Sequence, residues 1–351
     1  TPHLKTLLSW KRHLLMKGCY TSGVIPFAFT GELTDQLASD FMHPLETLPV
    51  LRRYVTWALF GRNAMPSVSP KLSTKLETMY ARYHNSKHLA QDPLLFPRRY
   101  ENPEDQEVVA LLAASMAFGR VSAFLPVLDR LFSKLGPYPA TSLDQADDWE
   151  FSAWTDGFVY RFATSNNLKG MLVGIAKVRK EYGGLQPPFM QGYLPNRQVI
   201  EGLRALANSI RLAAEPYDPG FLLPLGRPTD PAKRLNMFLR WMVRDDGLDL
   251  GIWQGINKAD LLIPMDVHVT RISRMLGLLP SKKGGPTLKD AIALTKALST
   301  IDPNDPVRLD FALAHMGISG DCKGEFADAI CPKCPLMDFC VHGRQGPGTG
   351  R

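Results

Sequence analysis

The chain has 351 residues, enough to bury a large core in one elaborated domain or in two. Its 41 Lys and Arg against 34 Asp and Glu leave a formal charge of +7 and a pI near 9.1, which favours an anionic partner, nucleic acid ahead of membrane. The longest apolar run, Val108 to Phe118, is broken by small residues and falls short of a bilayer span, so no membrane partner is expected.

Helical periodicity dominates the chain, and no stretch alternates as paired strands do, so the expected class is all-α. Residues 1–65 read as a basic helical extension with helices over 4–17 and 44–60. The first 31 residues lack Asp and Glu but carry Lys5, Lys11, Arg12 and Lys17, a bias shared by organelle presequences and nucleic-acid-binding arms. After a linker to Pro70, a helix over about 71–89 carries His84 and His88 one turn apart. With no third ligand in view, a solvent-facing pair is expected there. Asn102-Pro-Glu-Asp is a strong helix start, with Asn as cap, Pro at the first helical position and acids in the first turn. Nearly continuous apolar residues up to Gly119 make this the central core helix. A helix from Arg120 to Leu135 follows, and Arg120 at its start is a candidate phosphate contact. Helices over 166–182 and 197–212 flank an irregular connection at 187–195. The proline-rich stretch 215–229 reads as a long ordered loop able to shape a pocket wall. Helices over 288–299 and 306–316 complete this part.

Three features in the last third carry the chemistry. In Ile263-Pro-Met-Asp-Val-His-Val-Thr-Arg-Ile272, Asp266 is placed to cap a helix whose Val269, Ile272 and Leu276 share one face. A helix N-terminus favours a carboxylate, and most such caps are structural. Upstream, Asp230-Pro-Ala-Lys-Arg-Leu reads as a helix with Asp230 as cap, Pro231 at the first position and Lys233 at the third. An amine at that end with apolar neighbours suits Schiff-base chemistry, and a snorkelling surface lysine is the alternative. Downstream, four of the five cysteines form a C-x8-C-x2-C-x5-C array at Cys322, Cys331, Cys334 and Cys340. Four thiolates over nineteen residues indicate a metal centre in a reducing, intracellular compartment, and spacing leaves zinc and [4Fe-4S] both open.

The helix-borne lysine, the Pro-x-Asp-Val-His context and Cys331-Pro-Lys-Cys-Pro-Leu-Met-Asp-Phe-Cys340 together resemble the helix-hairpin-helix (HhH-GPD) DNA glycosylases, a superfamily that includes endonuclease III, adenine glycosylases and 8-oxoguanine glycosylases. The runs KRLNMFLRWMVR, DLGIW, LLIPMDVHVTRISRMLGLL and DPNDPVRLDFALAHMGISGDC are similar to a bacterial and archaeal branch known only as a domain of unknown function. The resemblance covers about residues 70–340. It implies two helical subdomains flanking a DNA-binding cleft over 70–318, an iron-sulfur loop over 319–342 and a disordered tail from 343 to 351.

By the same resemblance, Asp266 matches the aspartate that stabilises positive charge on the sugar, and His268 matches the histidine two positions on. Lys233 is similar in position to the lysine nucleophile of archaeal 8-oxoguanine glycosylases. The four cysteines would hold a [4Fe-4S] cluster, with zinc as the alternative, and Lys323, Lys333 and Arg344 would face the phosphate backbone. Arg271, one turn beyond Asp266, and Arg120 are further candidate DNA contacts. Two departures stand out: the first cysteine interval is x8 where x6 is usual, and Val243 to Gly251 replaces the LPGVG-type hairpin. The resemblance implies a monomeric base-excision enzyme, a DNA glycosylase acting on double-stranded DNA with a damaged, 8-oxoguanine-like base. AP-lyase activity through Lys233 is expected with it. The alternative is a non-catalytic nucleic-acid-binding module that keeps the fold and the metal loop.

Overall fold

The computed structural model describes residues 68–224, 229–282 and 284–346. The expectations for residues 1–65 and for 347–351 lie outside them. The described chain is mostly helical, in agreement with the all-α expectation. In chain order the helices are α1 (Pro70–Tyr83), α2 (Pro103–Met116), α3 (Val121–Leu135), α4 (Pro139–Gln145), α5 (Asp148–Thr155), α6 (Ser165–Tyr182), α7 (Gln186–Tyr193) and α8 (Val199–Ala214). The site-bearing helices follow: α9 (Lys233–Val243), α10 (Val267–Met275), α11 (Leu288–Leu298), α12 (Asp310–Ile318) and α13 (Val341–Gln345). Two-residue strands β1 (Val159–Tyr160) and β2 (Ala163–Thr164) form a small hairpin between α5 and α6.

The core is organised on α2. The Asn102 side chain accepts the Glu104 N–H at 2.9 Å, Pro103 occupies the first turn, and every residue from Glu107 to Met116 is buried. Val108, Val109, Leu111 and Leu112 each remove a full aliphatic side chain from water, about 1.5–3 kcal/mol apiece. Helix α9 packs against α2, while α6 packs against α4, α5 and α8. Trp241 and Trp253 belong to this core, the latter donating its indole N–H to Glu107 Oε1 at 2.7 Å. Helix α12 lies between α1 and α10. Its approach to α10 depends on Gly317, because a Cβ there would collide with the His268 imidazole.

Three local expectations are corrected. Residues 187–193 are helical as part of α7, since both prolines fall in the first turn, where a missing N–H costs nothing. The region after α1 is 3-10 helical, not a continuation, and His84 and His88 do not face solvent. His84 stacks on Tyr80 with Nε2 3.2 Å from Asp246, and the His88 ring lies 5.2 Å from that of His315. The tail is helical as far as Gln345. No helix among the described residues is long and apolar enough to cross a membrane.

Candidate functional site

A cavity of about 490 Å³ collects the chemistry. It is lined by the α2–α3 turn, with Phe118 and Gly119, by Phe221 and Pro224 in the proline-rich loop, and by residues of α9, α10 and α12. Lys233 and Asp266 both line it, far apart in sequence and on different helices.

The local structure of each can be traced to its neighbours. Asp230 Oδ1 accepts the Ala232 N–H at 2.8 Å, and Ala232 takes a left-handed φ of +48°. This turn displaces the expected cap, so α9 begins at Lys233 and the lysine stands at its first position instead of its third. Its side chain is half-buried and Nζ makes one long contact, 3.5 Å, to the Ala117 carbonyl. Asp266 caps α10 as expected, its Oδ1 accepting the Val269 N–H at 2.6 Å, which fixes the carboxylate at the positive end of the helix. Val269 and Ile272 beneath it are buried. His268 also lines the cavity. Burial shifts its imidazole down toward the neutral form, with Arg271 and Lys233 acting the same way and Asp266 opposing them.

The cavity floor holds groups the sequence did not single out. Arg240, Asp310 and Asp92 line it and are nearly or fully buried. Arg240 donates to Asp310 and, at 3.1 Å, to Asp249, which also accepts from Arg244 at 2.5 Å. Arg244 extends the network to Asp305 at 3.0 Å and Asp246 at 2.8 Å, while Asp92 pairs with His315 at 2.9 Å. Burial pushes the Asp310 carboxyl up to about 7, against the lowering effect of Arg240, and Asp266 adds to the rise. The one signal available in the sequence was a charged residue at the head of the apolar helix DFALAHMGI.

The candidate DNA contacts divide. Arg120, Lys323, Lys333 and Arg344 are exposed. Arg271 is not available in the same way. It is half-buried and donates to the Cys322 carbonyl at 2.7 Å, so it ties the cysteine loop to the helix that carries Asp266.

Cys322, Cys331, Cys334 and Cys340 are all free thiols, half-buried, and line a single small cavity against Ile272, Leu276 and Met316. Cys331 Sγ accepts the Ala327 N–H at 3.3 Å. No three Cys, His, Asp or Glu side chains among the described residues stand as a preformed metal-holding group. In donor chemistry the set suits a four-thiolate centre, since all four cysteines line one cavity and each is a free thiol.

No curated protein and no solved structure matches the chain. A family model described as a protein of unknown function, DUF2400, matches residues 92–319, a span that takes in Lys233, Asp266, Asp310 and the whole cavity floor, and the chain belongs to that family.

Proposed function

We propose that this protein is a base-excision DNA glycosylase that removes a damaged, 8-oxoguanine-like base and cleaves the resulting abasic site through a lysine Schiff base. The observation that carries the reading is the convergence of Lys233 and Asp266 on one cavity of about 490 Å³, a volume suited to a single extruded nucleoside. The same cavity is lined by the aromatic rings of Phe118 and Phe221, which suit a flat base.

In this reading the exposed Arg120, Lys323 and Lys333 contact phosphates of a duplex and help offset the cost of unstacking one base. The Asp266 carboxylate stabilises positive charge growing on the sugar, as carboxylates do in glycoside cleavage. The Lys233 nitrogen forms a bond to C1′ while the glycosidic C–N bond breaks, and the base leaves with that electron pair and takes up a proton. Loss of the amine proton and opening of the sugar ring give the Schiff base. Removal of a C2′ proton then expels the 3′ phosphate. Cys322, Cys331, Cys334 and Cys340 would hold a [4Fe-4S] cluster, or zinc in the alternative, whose contribution is structural. Through the Arg271 link to the Cys322 carbonyl such a centre would steady the start of α10.

Borohydride trapping tests the proposal directly, on duplexes carrying 8-oxoguanine, oxidised pyrimidines, uracil or an abasic site. A covalent adduct on one lesion that disappears in Lys233→Gln is the expected result. Base release that persists in Lys233→Gln without strand cleavage would reassign the nucleophile to water. Absence of both base release and adduct on every duplex would overturn the enzymatic reading.

A further inference from the structure

The rim of the cavity carries an element that neither the proposed chemistry nor the packing explains. Strands β1 and β2 pair Val159 with Thr164 and Tyr160 with Ala163, leaving Arg161 and Phe162 alone as the turn. Arg161 is held at a φ of +53°, a conformation that costs energy in a residue other than glycine. The hairpin is anchored beside the cavity: the buried Tyr160 donates its hydroxyl to the Phe118 carbonyl, and the Tyr160 and Phe118 rings lie 4.8 Å apart. At the tip Phe162 is 66 % exposed and meets Phe221 edge-on at 5.4 Å; Phe221 is itself 45 % exposed and meets Phe118 at 4.9 Å. Cations flank this ladder. Arg161 lies 5.5 Å from the Phe162 centroid and Arg234 lies 4.6 Å from that of Phe221, while Arg120 stands exposed two residues beyond Phe118.

A strained turn that displays a phenylalanine to water gains little for folding, since the ring leaves most of its surface hydrated. An aromatic face bordered by guanidinium groups is complementary to one class of partner, a nucleobase with its phosphates on either side. We infer that the Arg161-Phe162 tip is a base-stacking element: the Phe162 ring takes the face of a nucleobase of bound DNA next to the cavity, and Arg161 and Arg120 meet the adjoining phosphates. This rests on the reading of the cavity as a DNA site, but not on any particular lesion or on turnover.

The test uses the full chain and a duplex holding a tetrahydrofuran abasic analogue, with 2-aminopurine first opposite it and then beside it. Wild-type protein is expected to bind the duplex and change the 2-aminopurine emission in one of the two positions. Phe162→Ala should bind about tenfold more weakly and lose the emission change, as expected for one lost stacking contact, with an unaltered melting temperature because the ring is exposed. Phe162→Trp should restore both. If Phe162→Ala binds with wild-type affinity and emission, the inference falls while the DNA reading stands. If the wild type binds no duplex at all, both fall. A free protein that sediments as a dimer in the wild type and as a monomer in Phe162→Ala would assign the tip to self-association and overturn the inference.

Discussion

The two ends of α9 put cations of the same helix to opposite uses. At its C-terminal end Arg240 and Arg244 have side chains 4 % and 2 % exposed, and each is held by at least two carboxylates. At its N-terminal end Lys233 is half-buried, lines the cavity and, among the described residues, has a single long contact to a backbone carbonyl. A guanidinium engaged by several carboxylates is fixed in place and contributes to the fold. Among the described residues no carboxylate holds the Lys233 amine, which leaves it free to reach a ligand. Between the two ends, Asp310 touches both worlds, since it accepts from Arg240 and lines the cavity.

The largest effect should come from breaking the C-terminal end. Asp249 bridges Arg240 and Arg244, and its side chain is 1 % exposed. Asp249→Ala leaves two buried guanidinium groups short of a partner, which costs about 3–5 kcal/mol when one member of a buried pair is removed. Urea unfolding followed by circular dichroism should show a loss of that size. A loss below about 1 kcal/mol would mean that Asp246, Asp305 and Asp310 satisfy both arginines without it, and the contrast between the two ends would weaken.

The next effect is a pH dependence rooted in Asp310. Its folded-state value is about 7, above that of an unfolded aspartate, because burial disfavours the charged form. The sign follows from proton counting. Between the unfolded value near 4 and the folded value the native state binds more protons than the unfolded chain, so this group lowers stability as pH rises through that window and adds nothing further above it. Asp310→Asn should therefore flatten the profile of unfolding free energy between about pH 4 and 7, by about 4 kcal/mol across the window. Groups acting on Asp310 include Arg240, Asp266 and Lys233. An unchanged slope in the variant would show that the carboxyl is ionised throughout and belongs with the locked end.

What the sequence made legible was local. The Asn102 and Asp266 caps and the apolar run of α2 each depend on residues a few positions apart, and each is found in the fold, while the closely spaced cysteines line one small cavity. The misses were set by distant partners. His84 and His88 are drawn inward by Asp246 and His315, neither of which can be paired with them by periodicity. Asp310 reaches the cavity on α12, which packs between α1 and α10, and Asp92 reaches it from the 3-10 region after α1. The start of α9 moved because one Asp230 hydrogen bond to Ala232 outweighed the preference for proline in a first turn. The hairpin was invisible for a different reason: two-residue strands are too short to show alternation.

The smallest expected effect is the one that bears most on function. Among the described residues Lys233 pairs with no carboxylate and makes one 3.5 Å contact, so Lys233→Gln removes little that this part of the fold uses. Its unfolding free energy should stay within about 0.5 kcal/mol of wild type, the range of substitutions away from packed or paired groups. A near-zero change in stability together with loss of the borohydride adduct would separate chemistry from structure within one helix, because the same measurement on Asp249→Ala should show the reverse proportion. If Lys233→Gln instead unfolds as readily as Asp249→Ala, the Ala117 contact and the burial of the aliphatic stem matter more than the geometry suggests. Lys233 would then belong with Arg240 and Arg244 as a residue of the fold, and the cavity would need another nucleophile.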